Sequence, residues 1–193
     1  MNVEQDFIEG KKSAIKKLEK ACNAGEVDKG ILPILNIINK SENYYTSSSC
    51  FGRIVVLEIP EIGDKKNAKF LGRWHRSIEF EEVISSLKNA KKGQLWLLSQ
   101  SPVIHIIAKT PEASDSLLKK AISCGFKHSG MKSFGKKNVV EVCSTERLDA
   151  PIGLDGKLFC NDDHMHLLVN ISNEIIKKST KKLKIFQEKL KEI

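Results

Sequence analysis

The apolar side chains change their spacing at Tyr44, and that change commits the chain to folds that combine helices with strands. Before it, Phe7, Ile8, Ala14, Ile15, Leu18 and Cys22 recur at helical intervals opposite a lysine face, with Gly25 as the stop. Asp28 is placed to cap a second helix carrying Ile31, Leu32, Leu35 and Ile38, with Pro33 near its start, where a proline costs least. From Tyr44 the pattern is that of strands. Tyr44-Tyr45-Thr46 leads into Ser47-Ser48-Ser49-Cys50, a break at Gly52-Arg53, and the β-branched run Ile54–Ile59, which together predict a hairpin.

Further on, Phe70–His75 reads as a strand and 78–90 as an amphipathic helix. Gln94–Gln100 and Val103–Lys109 are strands flanking Ser101-Pro102. Thr110-Pro111-Glu112 is a helix start: a cap, a proline at the first helical position and an acid beside the positive helix end. Gly125 stops that helix. Phe126–Ser133 and Asn138–Ser144 read as strands around Gly135, residues 145–160 as loop, and the chain from Asn161 onward as helix. The segments 44–90 and 94–144 each offer a polar turn, a strand and a helix, which suggests an internal duplication. No GxGxxG or phosphate-loop pattern is present, so no segment reads as a dinucleotide-binding unit.

At 193 residues the chain is the size of one domain, 1–193, and needs no disulfide or metal to fold. Its five cysteines are scattered without a CxxC pair, as in a reduced cytoplasmic protein, and no run approaches the roughly 18 apolar residues of a membrane span. Net charge is +8, which favours a polyanionic partner. The basic residues are 28 Lys and only four Arg: Arg53, Arg73, Arg76 and Arg147. Arginine offers a planar, bidentate fork where lysine offers a point charge, so these four are the candidates for specific contacts. Residues 173–193 hold seven Lys and three Glu on a basic tail helix, readable either as a solvated face or as an RNA-docking one.

Thr46–Arg53 is the segment richest in chemistry. Small side chains let a ligand approach the backbone, hydroxyls suit polar groups, and Arg53 suits a carboxylate or phosphate; the same segment also reads as an ordinary serine-rich turn. His75 ends one strand. His105 lies inside the apolar strand Val103–Ile107, where a histidine is commonly a hydrogen-bonded core residue but can serve as base or donor. Glu141, within Val139–Val142, reads by alternation as solvent-facing. Asp162-Asp163-His164-Met165-His166 looks like a metal motif, yet residues two apart on a helix point to different faces, so no metal is expected.

Together these segments resemble the tRNA wybutosine-synthesizing protein 3 family. The likeness runs through Gly25–Asp28, Ile38-Asn39, Tyr45–Cys50 with Gly52-Arg53, His75, Val103–Ile106, Cys124–Gly130, and Val140–Thr145 followed by Leu148–Pro151. Phe51 departs from it, standing where serine or alanine is usual, and the acid at Glu141 is neutral in some relatives. The resemblance implies a compact α+β domain, unlike the Rossmann-like methyltransferases, with a mixed or antiparallel sheet and a long basic C-terminal helix. It further implies an S-adenosylmethionine-dependent methyltransferase acting on ring N4 of a demethylwyosine-type base at position 37 of phenylalanine tRNA, with the anticodon arm as partner and no obligate protein partner.

On the positions so marked, chemistry assigns roles. His75, Arg53 and Ser49 are expected to be catalytic, within one pocket. Ser47, Ser48, Cys50, Gly52, His105, Ser129, Gly130, Ser144 and Thr145 are expected to bind cofactor. Lys177, Lys178, Lys181, Lys182, Tyr45 and Trp74 are expected to bind RNA, the two aromatics by stacking. The competing readings are a non-catalytic RNA-binding module and a tRNA enzyme using Cys50 as nucleophile.

Overall fold

The structure is a computed structural model that describes residues 3–191. Its elements run α1 (Val3–Asn23), α2 (Leu32–Lys40), β1 (Tyr44–Cys50), β2 (Arg53–Ile59), β3 (Lys69–Trp74), α3 (Phe80–Leu87), β4 (Gln94–Gln100), β5 (Val103–Ala108), α4 (Pro111–Ser123), β6 (Gly130–Ser133), β7 (Asn138–Cys143), β8 (Arg147–Leu154), β9 (Lys157–Leu158) and α5 (Asp162–Leu190). The fold is α+β with two antiparallel sheets, and the chain separates into two compact units, neither a continuous segment.

The first unit takes residues up to Phe51, Pro102–Thr145 and Thr180 onward. Its sheet has the order β1-β5-β7-β6. One face, with Ile104, Ile106, Val140 and Val142, packs on Ile34, Leu35 and Ile38 of α2, Leu117 and Ala121 of α4, and Leu183 and Phe186 of α5. On the other face α1 covers one end, where Phe7 meets Tyr45 and Ile107.

The second unit takes Gly52–Ser101 and Glu146–Ser179, with the order β3-β2-β4-β8-β9. Ile54, Val56, Leu95, Leu97 and Ile152 on one face pack against Val83 of α3 and Met165, Leu168, Val169 and Ile176 of α5.

Helix signals in the sequence are borne out where they are local. Thr110 accepts from the Ala113 N–H at 3.1 Å, and α4 begins at Pro111. The helix ends at Gly125, φ +93°, with Gly125 N–H on the Ile122 carbonyl and Phe126 N–H on the Ala121 carbonyl, the paired bonds of a glycine-terminated helix.

Long-range pairing overturns four expectations. The hairpin of β1 and β2 does not form. A continuous apolar run such as Ile54–Leu57 is stable as an inner strand, and β3 and β4 take both its edges, so β1 pairs with β5 instead. Residues 145–160 are not loop: Leu148, Ala150 and Ile152 alternate toward the second core, and β8 pairs along β4. Pro151 sits beside a bulge in that ladder, a position that tolerates a missing N–H. Asp28 does not cap α2; its carboxylate accepts from the Phe51 N–H, and Ile31 is the cap residue. Of the strand expected over Phe126–Ser133 only β6 forms, because Phe126 turns into the first core, 5.6 Å from the Phe186 ring. The segments 44–90 and 94–144 each give strands to both sheets, so neither segment coincides with one of the two units. No described helix is long and apolar enough to cross a membrane.

Candidate functional site

In the first unit, three strands bring polar residues into one row on the face that carries Tyr45 and Ile107. Alternation along β5 and β7 puts His105 and Glu141 opposite one another, and a bulge in β1 between Thr46 and Ser48 brings Ser48 opposite His105. Without that extra residue Ser47 would hold the position, and the serines beyond it would exchange faces. Ser48 Oγ lies 2.7 Å from His105 Nδ1, and His105 Nε2 lies 2.7 Å from Glu141 Oε2. The other Glu141 oxygen receives Lys132 Nζ at 2.8 Å.

A carboxylate only accepts, so Nε2 of His105 carries a proton, and in the neutral ring Nδ1 accepts from the Ser48 hydroxyl. The arrangement is hydroxyl, imidazole, carboxylate and ammonium in series. Burial pushes the Glu141 carboxyl up, but hydrogen bonds from Lys132 and His105 outweigh it and hold the group below the usual carboxylate range. The same bond to Glu141 raises the Lys132 ammonium. His105 is therefore not a core histidine: its side chain is 31% exposed, and that of Glu141, expected toward solvent, is 19% exposed. Lys132 drew no attention in the sequence. The available signal was that β5 and β7 set His105 and Glu141 between β-branched apolar neighbours.

Ser48 also faces a cleft. Along β1, between it and α1, lies a cavity of about 570 Å3 whose walls include Lys17, Glu26, Val27, Tyr45 and Ser47–Ser49. That volume is in the range of small-molecule sites. The hydroxyls, two cations (Lys17 and Lys137) and one anion (Glu26) suit a zwitterionic, ribose-bearing ligand, and Leu18, Val27 and Tyr45 supply apolar wall for a base.

The other expected ligands in this unit are placed differently. Ser129 Oγ accepts from the Cys143 N–H at 3.0 Å, which fastens the end of β7. Gly130 stands opposite Glu141 at the start of β6. Ser144 is buried and accepts from Lys182 Nζ at 3.1 Å, while Thr145 is exposed. Cys50 pairs with Val103 at the end of β1.

In the second unit, His75 follows β3, and its Nδ1 lies 2.9 Å from the Gly52 carbonyl. A carbonyl accepts, so Nδ1 carries a proton. Gly52 has φ +95°, which only glycine adopts without strain. Arg53 Nε donates to Gln100 Oε1 at 2.8 Å, and its guanidinium carbon stands 5.4 Å from the centre of the Phe70 ring.

Of the two aromatics expected to stack on RNA, one is buried and the other partly buried. Tyr45 is 3% exposed, 5.1 Å from the Phe7 ring. Trp74 lies over Gly72, where a Cβ would meet its ring at 2.0 Å, and packs against the second core. The sequence marked both as aromatic strand residues without showing which face they take. On α5, Lys177, Lys178 and Lys181 are exposed, with Lys178 3.6 Å from Glu174. Lys182 is half-buried, its stem over Gly125 and its amine on Ser144, so it belongs to the packing of the first unit.

The sequence profile of a family described as Methyltransferase TYW3 matches residues 9–192. A Pyrococcus abyssi protein named tRNA(Phe) 7-((3-amino-3-carboxypropyl)-4-demethylwyosine(37)-N(4))-methyltransferase 1 is 45% identical, over 100% of both chains. A Pyrococcus horikoshii protein of the same name is 44% identical over 98% of this chain and 97% of its own. A solved structure from Pyrococcus horikoshii superposes with a TM-score of 0.94 at 44% identity, covering 98% of each chain. With the family profile spanning nearly its whole length and relatives this similar end to end, the chain belongs to the TYW3 methyltransferase family.

Proposed function

We propose that this chain is an S-adenosylmethionine-dependent tRNA methyltransferase of the cytoplasm. Its substrate is phenylalanine tRNA with a 7-(3-amino-3-carboxypropyl)-4-demethylwyosine-type base at position 37, and it methylates ring N4. The observation that carries the reading is the Ser48–His105–Glu141 row beside a cleft of ligand size, in a chain related end to end to enzymes of that name.

When bound, S-adenosylmethionine supplies an electrophilic methyl group. The cleft residues fit it: Lys17 for its carboxylate, Glu26 for its ammonium or ribose hydroxyls, and Ser47 and Ser49 for its polar edges. The substrate N4 carries a proton that must leave as the N–CH3 bond forms. Ser48 Oγ takes that proton while its own passes to His105 Nδ1, and Glu141 stabilises the resulting imidazolium. Lys132 keeps Glu141 ionised for that task. In the second unit, Arg53 offers its terminal guanidinium nitrogens to a phosphate, and His75 holds the Gly52 turn from which Arg53 projects.

The test is mass analysis of phenylalanine tRNA bearing the tricyclic precursor after incubation with the protein and cofactor. A gain of one methyl group on that base, and none on unmodified transcript, is expected. Equal methylation of unmodified transcript overturns the substrate assignment. RNA binding without cofactor uptake leaves a binding module, and a covalent adduct at Cys50 a different chemistry.

A further inference from the structure

The face of the second sheet turned away from its core is built unlike the rest of the surface. Register places Arg73 beside Val55, with Leu98 and Asp149 in the same row. Phe70 shares a row with Leu57, Trp96 and Pro151, and Arg53 one with Gln100 and Arg147. Ile54, Val56, Leu95, Leu97 and Ile152 point the other way, into the core with α3 and α5. The outward face therefore carries three of the chain's four arginines, although lysines outnumber arginines seven to one. Phe70 is 51% exposed, and the guanidinium carbons of Arg53 and Arg73 stand 5.4 and 5.6 Å from its centre. Against the three arginines stands Asp149, which is paired with Arg147.

We infer that this face is a docking platform for unpaired nucleotides of an RNA, the anticodon loop of the tRNA substrate. The inference rests on the function proposed above and assigns that function its RNA surface. An open sheet face with an exposed aromatic among arginines meets both needs of such a ligand: a planar surface for a base and planar cations for phosphates. Charge decides against a second copy of this chain, because the patch is cationic and would face itself across a symmetric contact. Arginine clustering in a lysine-rich chain points the same way, since guanidinium stacks flat on a base and clamps phosphate through two nitrogens, where ammonium acts as a point charge.

The experiment uses the full chain and a phenylalanine-tRNA anticodon stem–loop carrying the precursor base, with binding measured across salt and photocrosslinks mapped by peptide. Phe70→Leu is expected to weaken binding about tenfold, through lost stacking, and Phe70→Tyr to keep it. Arg73→Gln is expected to weaken binding several-fold and to lower the slope of log affinity against log salt by about one. Crosslinks are expected within 69–74 and 94–100. Both sites are at the surface, so melting curves that match the unaltered chain accompany these losses. Unchanged affinity in Phe70→Leu and Arg73→Gln, or crosslinks confined to α5, overturns the platform while leaving the methyltransferase reading intact. A dimer that Phe70→Leu dissolves and RNA does not displace also overturns it. An unaltered chain that binds no stem–loop at all overturns both.

Discussion

His105 stands with the Ser48 hydroxyl on one ring nitrogen and the Glu141 carboxylate on the other, so its tautomer is set by its neighbours. Half-exposed and on a polar row, it contributes little to the core, and His105→Ala is expected to slow single-turnover methylation about 10²–10⁴-fold with a near-normal melting curve. A large fall in melting temperature with normal turnover makes it architecture instead. Glu141→Gln keeps an acceptor for the ring but removes the charge that steadies the imidazolium, so it slows the same step. Its pH signature has a definite sign. The folded carboxyl lies below its unfolded value, so its contribution to stability is present above the ordinary carboxylate range and is lost as pH falls through the depressed value. The stability difference between the unaltered chain and Glu141→Gln is therefore expected to shrink on acidification, as denaturant melts at several pH values can check.

α4 and α5 show how an element is set by its ends and its faces. α4 starts at the Thr110 cap and stops at Gly125, whose φ of +93° places a side chain in the left-handed region and whose absent Cβ leaves room for the Lys182 stem, 3.0 Å from where that atom would lie. Gly125→Ala is expected to destabilise the chain by about 1–2 kcal/mol, measured by chemical denaturation, because an L residue pays that for the left-handed conformation. An unchanged denaturation midpoint means that the turn relaxes. On α5 the apolar positions serve two cores, Met165, Leu168, Val169 and Ile176 in the second unit and Leu183, Phe186 and Leu190 in the first. A helix with this double commitment is no detachable tail, and its truncation removes core from the first unit.

For the whole molecule, the basic excess matters through RNA affinity and its salt dependence. Lys177, Lys178 and Lys181 lie exposed on α5, while Lys182 is engaged with Ser144. Charge reversal of the first three, leaving Lys182 in place, is expected to weaken binding of phenylalanine tRNA and to flatten its salt slope while cofactor uptake persists. An unaltered affinity and slope make the helix face a merely solvated one. Because lysines on α5 and arginines on the second sheet carry different chemistry, reversal on α5 is expected to lower affinity for any tRNA alike.

The sequence by itself determined the helices with local starts and stops, the strands with apolar alternation, the polar character of Ser47–Cys50 and the family. Capping, glycine stops and period act between residues a few positions apart, so α1, α4 and α5 could be read directly. Tertiary structure alone decided which strands share a sheet. β1 and β2, separated by two residues, went to different sheets because β2 needed a partner on each edge and found them in β3 and β4. Pairing also decided which polar residues meet: a bulge of one residue in β1 brought Ser48 to His105, and the β5–β7 register brought His105 to Glu141. It buried Tyr45 and turned Trp74 inward while leaving Phe70 between two arginines on the outer face. Which neighbour a strand takes is settled by competition among distant segments for edges and for apolar cover, and no local pattern in the chain records the outcome.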